Sequence, residues 1–402
     1  MKLSTNKKDS IMALRVAIIG AGIAGLTTGI LLRQQGAEVT IFEKRSCVEP
    51  IGGGLGIWPN GTQTLLNLPC ASKVIALAGN PDFTTFGDAH SNTLTTVPSE
   101  LYLQINGHPT LTFSRGELHQ VLAEEFGDQQ IIFNAKCIAI EQSEAKGTIH
   151  FDSGQSVQAD LIIGADGIYS TVRKILFPEN KLEYASYIQL LGILRYPKGR
   201  PPKQNFIWGE NRYCLSLPIS NNRYNFYHVM PLPQGKLAHE GKTREDQVNL
   251  FRGWSKEVDW MLDILCLSLK EPEFQNNYYC GEAYHSDLLP RWHCGRIVLL
   301  GDAAHPMGSI LALGGSAALE DSYVLCNYLK NANSIKDAID SYETHQMYRA
   351  AIFAKMEREI TDFLTESNSS QYSQFIAELK DQPSNITCES FIGKLKRQIE
   401  LY

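Results

Sequence analysis

One short stretch limits the fold more than any other. Val16-Ala17-Ile18-Ile19 is an apolar run that enters Gly20-Ala21-Gly22-Ile23-Ala24-Gly25, and Leu26 to Gln35 follows as a helix that stops at Gly36. Glu38 to Glu43 then reads as a second strand ending in a carboxylate. Strand, glycine turn, helix and acid-tipped strand, in that order, predict a parallel crossover unit with a dinucleotide at its first turn. Gly20 allows the tight turn, Gly22 lets backbone approach a pyrophosphate, and Gly25 lets helix and strand pack closely. The helix N-terminus offers N–H groups and a positive dipole end to the phosphates. Glu43, 18 residues beyond Gly25, is placed to accept hydrogen bonds from a ribose. The motif alone leaves NAD and FAD both open.

The same residues could be misread. Lys2, Lys7, Lys8 and Arg15 precede an uncharged run from Val16 to Leu32, which superficially resembles a signal peptide. Four glycines inside the run and the polar stop at Arg33-Gln34-Gln35 favour the crossover unit. Residues 1–12 read as a disordered leader. The 402 residues suffice for two or three domains, with 43% hydrophobic and 20% charged residues as in ordinary soluble proteins. A net charge of −6 provides no global field for nucleic acid or an anionic membrane. Nine scattered cysteines without a C-x-x-C pair suggest free thiols in a reducing, cytoplasmic setting, and no metal site is expected.

Two further strands end in glycine and aspartate. Asp160 to Ile163 enters Gly164-Ala165-Asp166-Gly167, and Arg296 to Leu300 enters Gly301-Asp302. Asp302 can bond a ribityl or ribose hydroxyl, whereas Asp166 can equally cap the helix that follows it. Residues 83–113 read as short strands, and Arg115 opens a helix. From about Asn180 to His285 the chain is rich in Tyr, Phe and Trp, which predicts a separate sheet-rich lobe. Tyr224, Phe226, His228 and Met230 share one face of a strand there. A helix starts near Gly314-Gly315, and Phe391, Ile392, Leu395 and Ile399 line a last amphipathic helix.

These motifs together resemble the FAD-dependent aromatic (group A) flavoprotein monooxygenases, which include salicylate and urate hydroxylases, zeaxanthin epoxidase and the tetracycline-inactivating enzymes. The resemblance spans about residues 14–350. It rests on G-A-G-I-A-G at 20–25, G-G-G-L-G-I-W-P-N-G at 52–61, S-R-G-E-L at 114–118, G-A-D-G-I-Y-S-T-V-R at 164–173, G-D-A-A-H-P at 301–306 and A-L-E-D-S at 318–322. It implies an α/β fold: a Rossmann-like FAD-binding domain of the glutathione-reductase type, a β-sheet-rich substrate domain and C-terminal helices. The expected division is 13–180 and 291–350 for FAD, 181–290 for substrate, and 351–402 as the helical end.

Carried over by position, the resemblance implies that Gly20, Gly22 and Gly25 hold the pyrophosphate and Glu43 the adenosine ribose. Lys44 and the backbone of Cys137 lie on the adenine side, and Gly56 lies beside the flavin. Arg115 reaches the middle of the cofactor, Asp302 is the ribityl partner, and Gly314-Gly315 faces the pyrimidine edge. Asp166 and Arg173 match an element that serves both FAD and NAD(P)H. Arg212 is similar to a substrate-side arginine of urate-hydroxylase-like members. Arg212, Tyr224 and Phe226 are therefore expected at the substrate, with Arg212 and His228 polarising it. The implied activity is hydroxylation or epoxidation of an aromatic, heterocyclic or polyketide-like molecule, through a flavin hydroperoxide. NADH or NADPH docks transiently, since no second fingerprint is present. Leu313, Ser309 and Leu190-Leu191 depart from the family pattern. An impaired flavin-binding or sensing protein therefore stays open, as does an NAD-dependent dehydrogenase.

Overall fold

The apolar runs become the interior of a parallel sheet. A computed structural model describes residues 14–365, apart from 50, 51, 80, 202, 204, 210 and 238–241, together with residue 377. The expected leader and the helix around Phe391 lie outside the described residues. Strand Arg15–Ile19 sits mid-sheet, with Glu38–Phe42 and then Ile131–Ile132 on one side, and Leu161–Gly164, Ile297–Leu299 and the antiparallel edge His293–Cys294 on the other. The chain thus reverses its strand order beside the first glycine turn, the place where ligands of such sheets bind. Helices Ile23–Gln34 and Leu313–Asn331 pack on each other close to this point.

The aromatic segment builds a seven-stranded sheet in the order Tyr278–Ser286, Leu182–Leu194, Arg223–Pro231, Arg212–Ile219, Phe206–Gly209, Phe83–Asp88 and Thr93–Pro98. Its last two strands come from the stretch before residue 180, so the sheet joins parts far apart in sequence. Between residues 83 and 113 the run of expected strands is broken by a helix, Ser99–Asn106. Glu100 supports its N-terminal turn, and Gly107, at φ 72°, ends it in the left-handed conformation that glycine tolerates best.

Both faces of this sheet are covered. On one, Ile188, Leu190 and Phe226 pack against Val258, Met261, Leu262 and Leu265 of helix Lys256–Ser268. On the other, Tyr187, Trp208, Tyr213 and Tyr227 gather with Phe353, Met356 and Ile360 of helix Ile335–Thr365. A two-stranded ladder, Gly54–Ile57 with Leu111–Ser114, packs against this second sheet and against helix Leu313–Asn331. Its approach to the second sheet is close: a Cβ on Gly54 would fall 2.0 Å from Asn225 Cγ.

Candidate active site

The glycine turn is held by backbone crowding. A Cβ on Gly20, itself at φ +107°, would lie 2.5 Å from Ala165 O, and one on Gly25 would lie 2.0 Å from Gly20 O. Gly22 differs, because a Cβ there meets nothing within 4 Å. It faces a cavity of about 580 Å3, which Glu43, Lys44, Arg115, Cys137, Asp166 and Asp302 also line. Helix Ile23–Gln34 has no side-chain cap at Gly22, which leaves its first N–H groups for an anion. Glu43 accepts from Ala21 N at 2.9 Å and from Arg45 N at 3.0 Å, which fixes its carboxylate at the turn. His119 also lines this cavity, with Nε2 2.6 Å from Ala21 O. Burial pushes its imidazole pKa down, so it stays neutral. Nothing local marked His119; it comes to the turn only because its helix packs on Ile23–Gln34.

A second cavity, of about 290 Å3, opens against the seven-stranded sheet. Gly56, Gly314 and Gly315 line it, and so do Asp302 and Met307 to Ser309, which line the first cavity as well. The two spaces therefore meet at Asp302. Helix Leu313–Asn331 begins here at Ala312, a left-handed residue at φ 53°, again with no side-chain cap. A long cofactor with a pyrophosphate at Gly22, a polyol at Asp302 and a flat ring between Gly56 and Gly314-Gly315 fits this path.

Asp302 is exposed to the open space of both cavities while protein encloses it behind. Burial pushes its carboxyl pKa above the ordinary value, against the pull of His305, Arg115 and Arg173. Arg115 is likewise exposed to the first cavity: the protein around it lowers its pKa by desolvation, and Asp302 opposes that. The loop bearing Asp302 is fastened from several sides. Arg173 Nη1 donates to Asp302 O at 2.9 Å and Ala303 O at 3.1 Å, and Nη2 donates to Ile168 O. Asp321 accepts from Gly301 N at 2.7 Å and Gln346 Nε2 at 2.8 Å, and contacts His305 Nε2 at 2.6 Å. Burial opposes charge on His305, but Asp321 outweighs it and raises the imidazole's pKa. Asp166 is engaged locally: its Oδ2 accepts from Thr171 N and Val172 N, and its Oδ1 from Ser170 Oγ at 2.5 Å. It caps the helix Thr171–Leu176 and keeps its place on the cavity wall.

The residues expected at the substrate are arranged otherwise. Alternation along Arg212–Ile219 and Arg223–Pro231 puts Tyr213, Leu215, Leu217, Asn225 and Tyr227 on the second cavity. Arg212, Tyr224, Phe226 and His228 take the opposite face, so their assignment to substrate or catalysis is corrected by one step of register. Arg212 Nη1 donates to Phe251 O at 3.2 Å. His228 is fully buried, 5.1 Å from the Phe251 ring and 5.3 Å from Trp254. Burial first, then Arg212, lowers its pKa to about 3, and neither ring nitrogen has a hydrogen-bond partner. His228→Leu is therefore expected to keep turnover and to raise stability by about 1 kcal/mol, through loss of an unsatisfied polar group. Steady-state kinetics and thermal melting check this; a collapse in turnover returns His228 to the chemistry.

Ser309 is the hub of a polar knot that the sequence did not announce. Its N–H donates to Tyr187 Oη at 2.9 Å, and its Oγ lies 2.9 Å from Tyr227 Oη and donates to Gln189 Oε1 at 2.6 Å. The next residues are held by Glu357, which accepts from Ile310 N at 2.7 Å and Leu311 N at 3.1 Å. Burial pushes the Glu357 carboxyl from 4.5 to about 7, against those two N–H groups. A folded pKa above the unfolded one makes the protonated form favour folding. That stability is fully present below about pH 4.5 and is lost as pH rises through about 7, with a total of about 3 kcal/mol. Glu357→Gln should flatten this dependence: relative to the variant, wild type should lose about 2.5 kcal/mol between pH 5 and pH 8. Parallel melting curves at both pH values would refute it.

The family model described as FAD binding domain matches residues 13–246 and 280–358. The FAD-dependent urate hydroxylase of Mycolicibacterium vanbaalenii is 27% identical over 391 residues, covering 95% of this chain and 96% of its own. The 6-hydroxynicotinate 3-monooxygenase of Pseudomonas fluorescens is 26% identical, covering 89% and 93%. Among solved structures, Klebsiella pneumoniae HpxO in complex with FAD and uric acid superposes with a TM-score of 0.86 at 24% identity, covering 96% of each chain. With the family model matching most of the chain, and the uncapped helix ends, open Gly22 and Asp302 junction accommodating its cofactor, this chain belongs to the FAD-binding family of flavoprotein monooxygenases.

Proposed function

We propose that the protein transfers one oxygen atom from O2 to an aromatic or heterocyclic small molecule, with FAD held across both cavities and NADH or NADPH as a transient reductant. The supporting observation is the meeting of the two spaces at Asp302, one lined by the nucleotide turn and the other by aromatic side chains. FAD, when bound, supplies the redox chemistry and the activation of oxygen. The protein's residues do the rest. Gly22 and the free N–H groups after it bind phosphate, Glu43 accepts from the ribose, and Asp302 and Arg115 hold the polyol. The uncapped end at Ala312 presents a positive dipole to the ring edge, where it favours negative charge. Trp58, Leu191 and Tyr227 exclude water from the reacting face, as this chemistry requires. Trp58 is fixed for that role, its Nε1 donating to Leu311 O at 2.9 Å and its N–H to Ser316 Oγ at 2.9 Å.

No described helix is long and apolar enough to cross a membrane. The eight described cysteines are all free thiols, which supports a reducing, cytoplasmic setting.

The test is direct. Purified protein should be yellow, and a compound screen for stimulated NAD(P)H oxidation should yield a product heavier by one oxygen atom. Asp302→Ala should weaken FAD retention by roughly 10- to 100-fold, the worth of one or two hydrogen bonds to a charged group. Colourless wild-type protein that cannot be reconstituted with FAD would overturn the proposal.

A further inference from the structure

Resting on that reading, we infer that the substrate is an uncharged, largely apolar molecule: a fused-ring or alkyl-bearing aromatic without carboxylate, sulfonate or phosphate. The wall beyond the Asp302 junction is made of Phe86, Phe206, Trp208, Tyr213, Leu215 and Leu217. Among the described lining residues, none is Lys, Arg or His, and Asp302 is the one ionisable carboxylate. An anion entering this space meets no cation and approaches a carboxylate, and a desolvated charge without a partner is strongly disfavoured.

The cations that might have served are turned elsewhere. Arg212 neighbours the wall residue Tyr213 but stands on the opposite face of the strand, bonded to Phe251 O. Arg223, two residues before Asn225, is held by Glu117 in a two-pronged pair at 2.7 and 2.8 Å. Arg115 lines the first cavity, and Arg173 is committed to Asp302 O and Ala303 O. Register turns Arg212 away and the pairing with Glu117 holds Arg223, so this cavity is free of positive charge although arginines stand on its strands.

What polarity remains is neutral. Tyr227 contacts Ser309, and burial raises the pKa of both Tyr213 and Tyr227 well above that of an ordinary phenol, so both stay protonated. The Asn225 amide and the Thr84, Ser99, Thr110 and Thr112 hydroxyls add to the polar set. Such groups can orient a hydroxyl, keto or ring N–H but cannot neutralise an acid.

The experiment uses matched pairs with the FAD-loaded protein at pH 7.5: 2-naphthol, 6-hydroxy-2-naphthoate and the methyl ester of that acid, together with 4-alkylphenols and 4-hydroxybenzoate. Equilibrium dialysis reads binding whether or not turnover follows, and NAD(P)H oxidation is read separately. Neutral members should bind at least about 30-fold tighter than their acids, reflecting the unpaired buried charge. Leu215→Arg, or Thr84→Lys should the first variant not fold, should narrow or reverse that ratio by putting a cation on the wall. An acid that binds as tightly as its ester overturns the inference, as does a panel in which no neutral member binds, or a folded cationic variant with an unchanged ratio. Neutral preference in dialysis without any stimulated NAD(P)H oxidation upholds the charge selectivity and instead removes the oxygenation reading, so the two failures are distinguishable.

Discussion

Gly25→Ala is expected to yield protein without FAD and with a stability loss of at least about 3 kcal/mol, the upper range for forced overpacking. The added Cβ would sit 2.0 Å from Gly20 O, and Ile18 Cγ2 is only 3.3 Å away. The near obstacle is backbone, which cannot rotate aside as a side chain does. Gly20 cannot retreat either: its N–H donates to Phe42 O at 2.8 Å, and its own φ is +107°. Helix Ile23–Gln34 must therefore lift off the sheet, and its phosphate-binding end moves with it. Gly22→Ala provides the control. Its Cβ meets no protein atom within 4 Å, so the apo-protein should melt near the wild-type temperature while FAD content still falls, because the methyl takes space meant for pyrophosphate. Thermal melting of both apo-proteins, with FAD content measured after reconstitution, separates the effects. A Gly25→Ala protein that keeps wild-type melting and FAD would show that the close packing is not what secures the turn.

The contrast between these glycines shows what could be read in the sequence. The turn is a local object: strand, glycines, helix and Glu43 all fall within 30 residues, and each step has its own residue preference. The Gly301-Asp302 and Gly164-Ala165-Asp166 turns were legible for the same reason, since each follows a short buried strand. The face of the substrate sheet was not. Arg223–Pro231 is buried on both sides, so alternation separates two sets of residues without saying which set meets the cavity. The missing clue was Val258, Met261, Leu262 and Leu265, a helical stripe that covers the Phe226 and His228 face. The Glu357 contacts to Ile310 and Leu311, 46 or more residues away, and the Ser309 knot have no local signature. The first exist only because helix Ile335–Thr365 folds back across the sheet, and the second because strands Leu182–Leu194 and Arg223–Pro231 meet the Ser309 loop.

That long helix also makes Arg349 the residue whose loss should be felt furthest. Its Nε lies 2.6 Å from Glu320 Oε1 and its Nη2 donates to Oε2 at 3.1 Å, with both side chains under a tenth exposed. Asn60 Nδ2 also donates to Glu320 Oε2, at 2.8 Å. Burial already raises the Glu320 pKa, and Arg349 is the strongest force holding it down. Arg349→Met leaves that carboxylate buried without its cation, which should cost about 3–5 kcal/mol at pH 8. The deficit should shrink at pH 5.5: the orphaned carboxyl has a folded pKa raised further above its unfolded one, so the variant loses stability as pH rises and recovers it as Glu320 takes a proton. Glu320→Gln combined with Arg349→Met should restore most of the loss, because the amide oxygen still accepts from Asn60 with no charge to compensate. The consequence for the site follows from chain adjacency. Asp321, the next residue, bonds Gly301 N and His305, and so sets the turn that carries Asp302. Arg349→Met should therefore also release FAD more readily than wild type at temperatures where it remains folded. Melting curves at the two pH values, with FAD release followed by fluorescence, decide it; a single variant as stable as wild type, or a double variant no better than the single, would mean that the ion pair does not support the Asp302 turn.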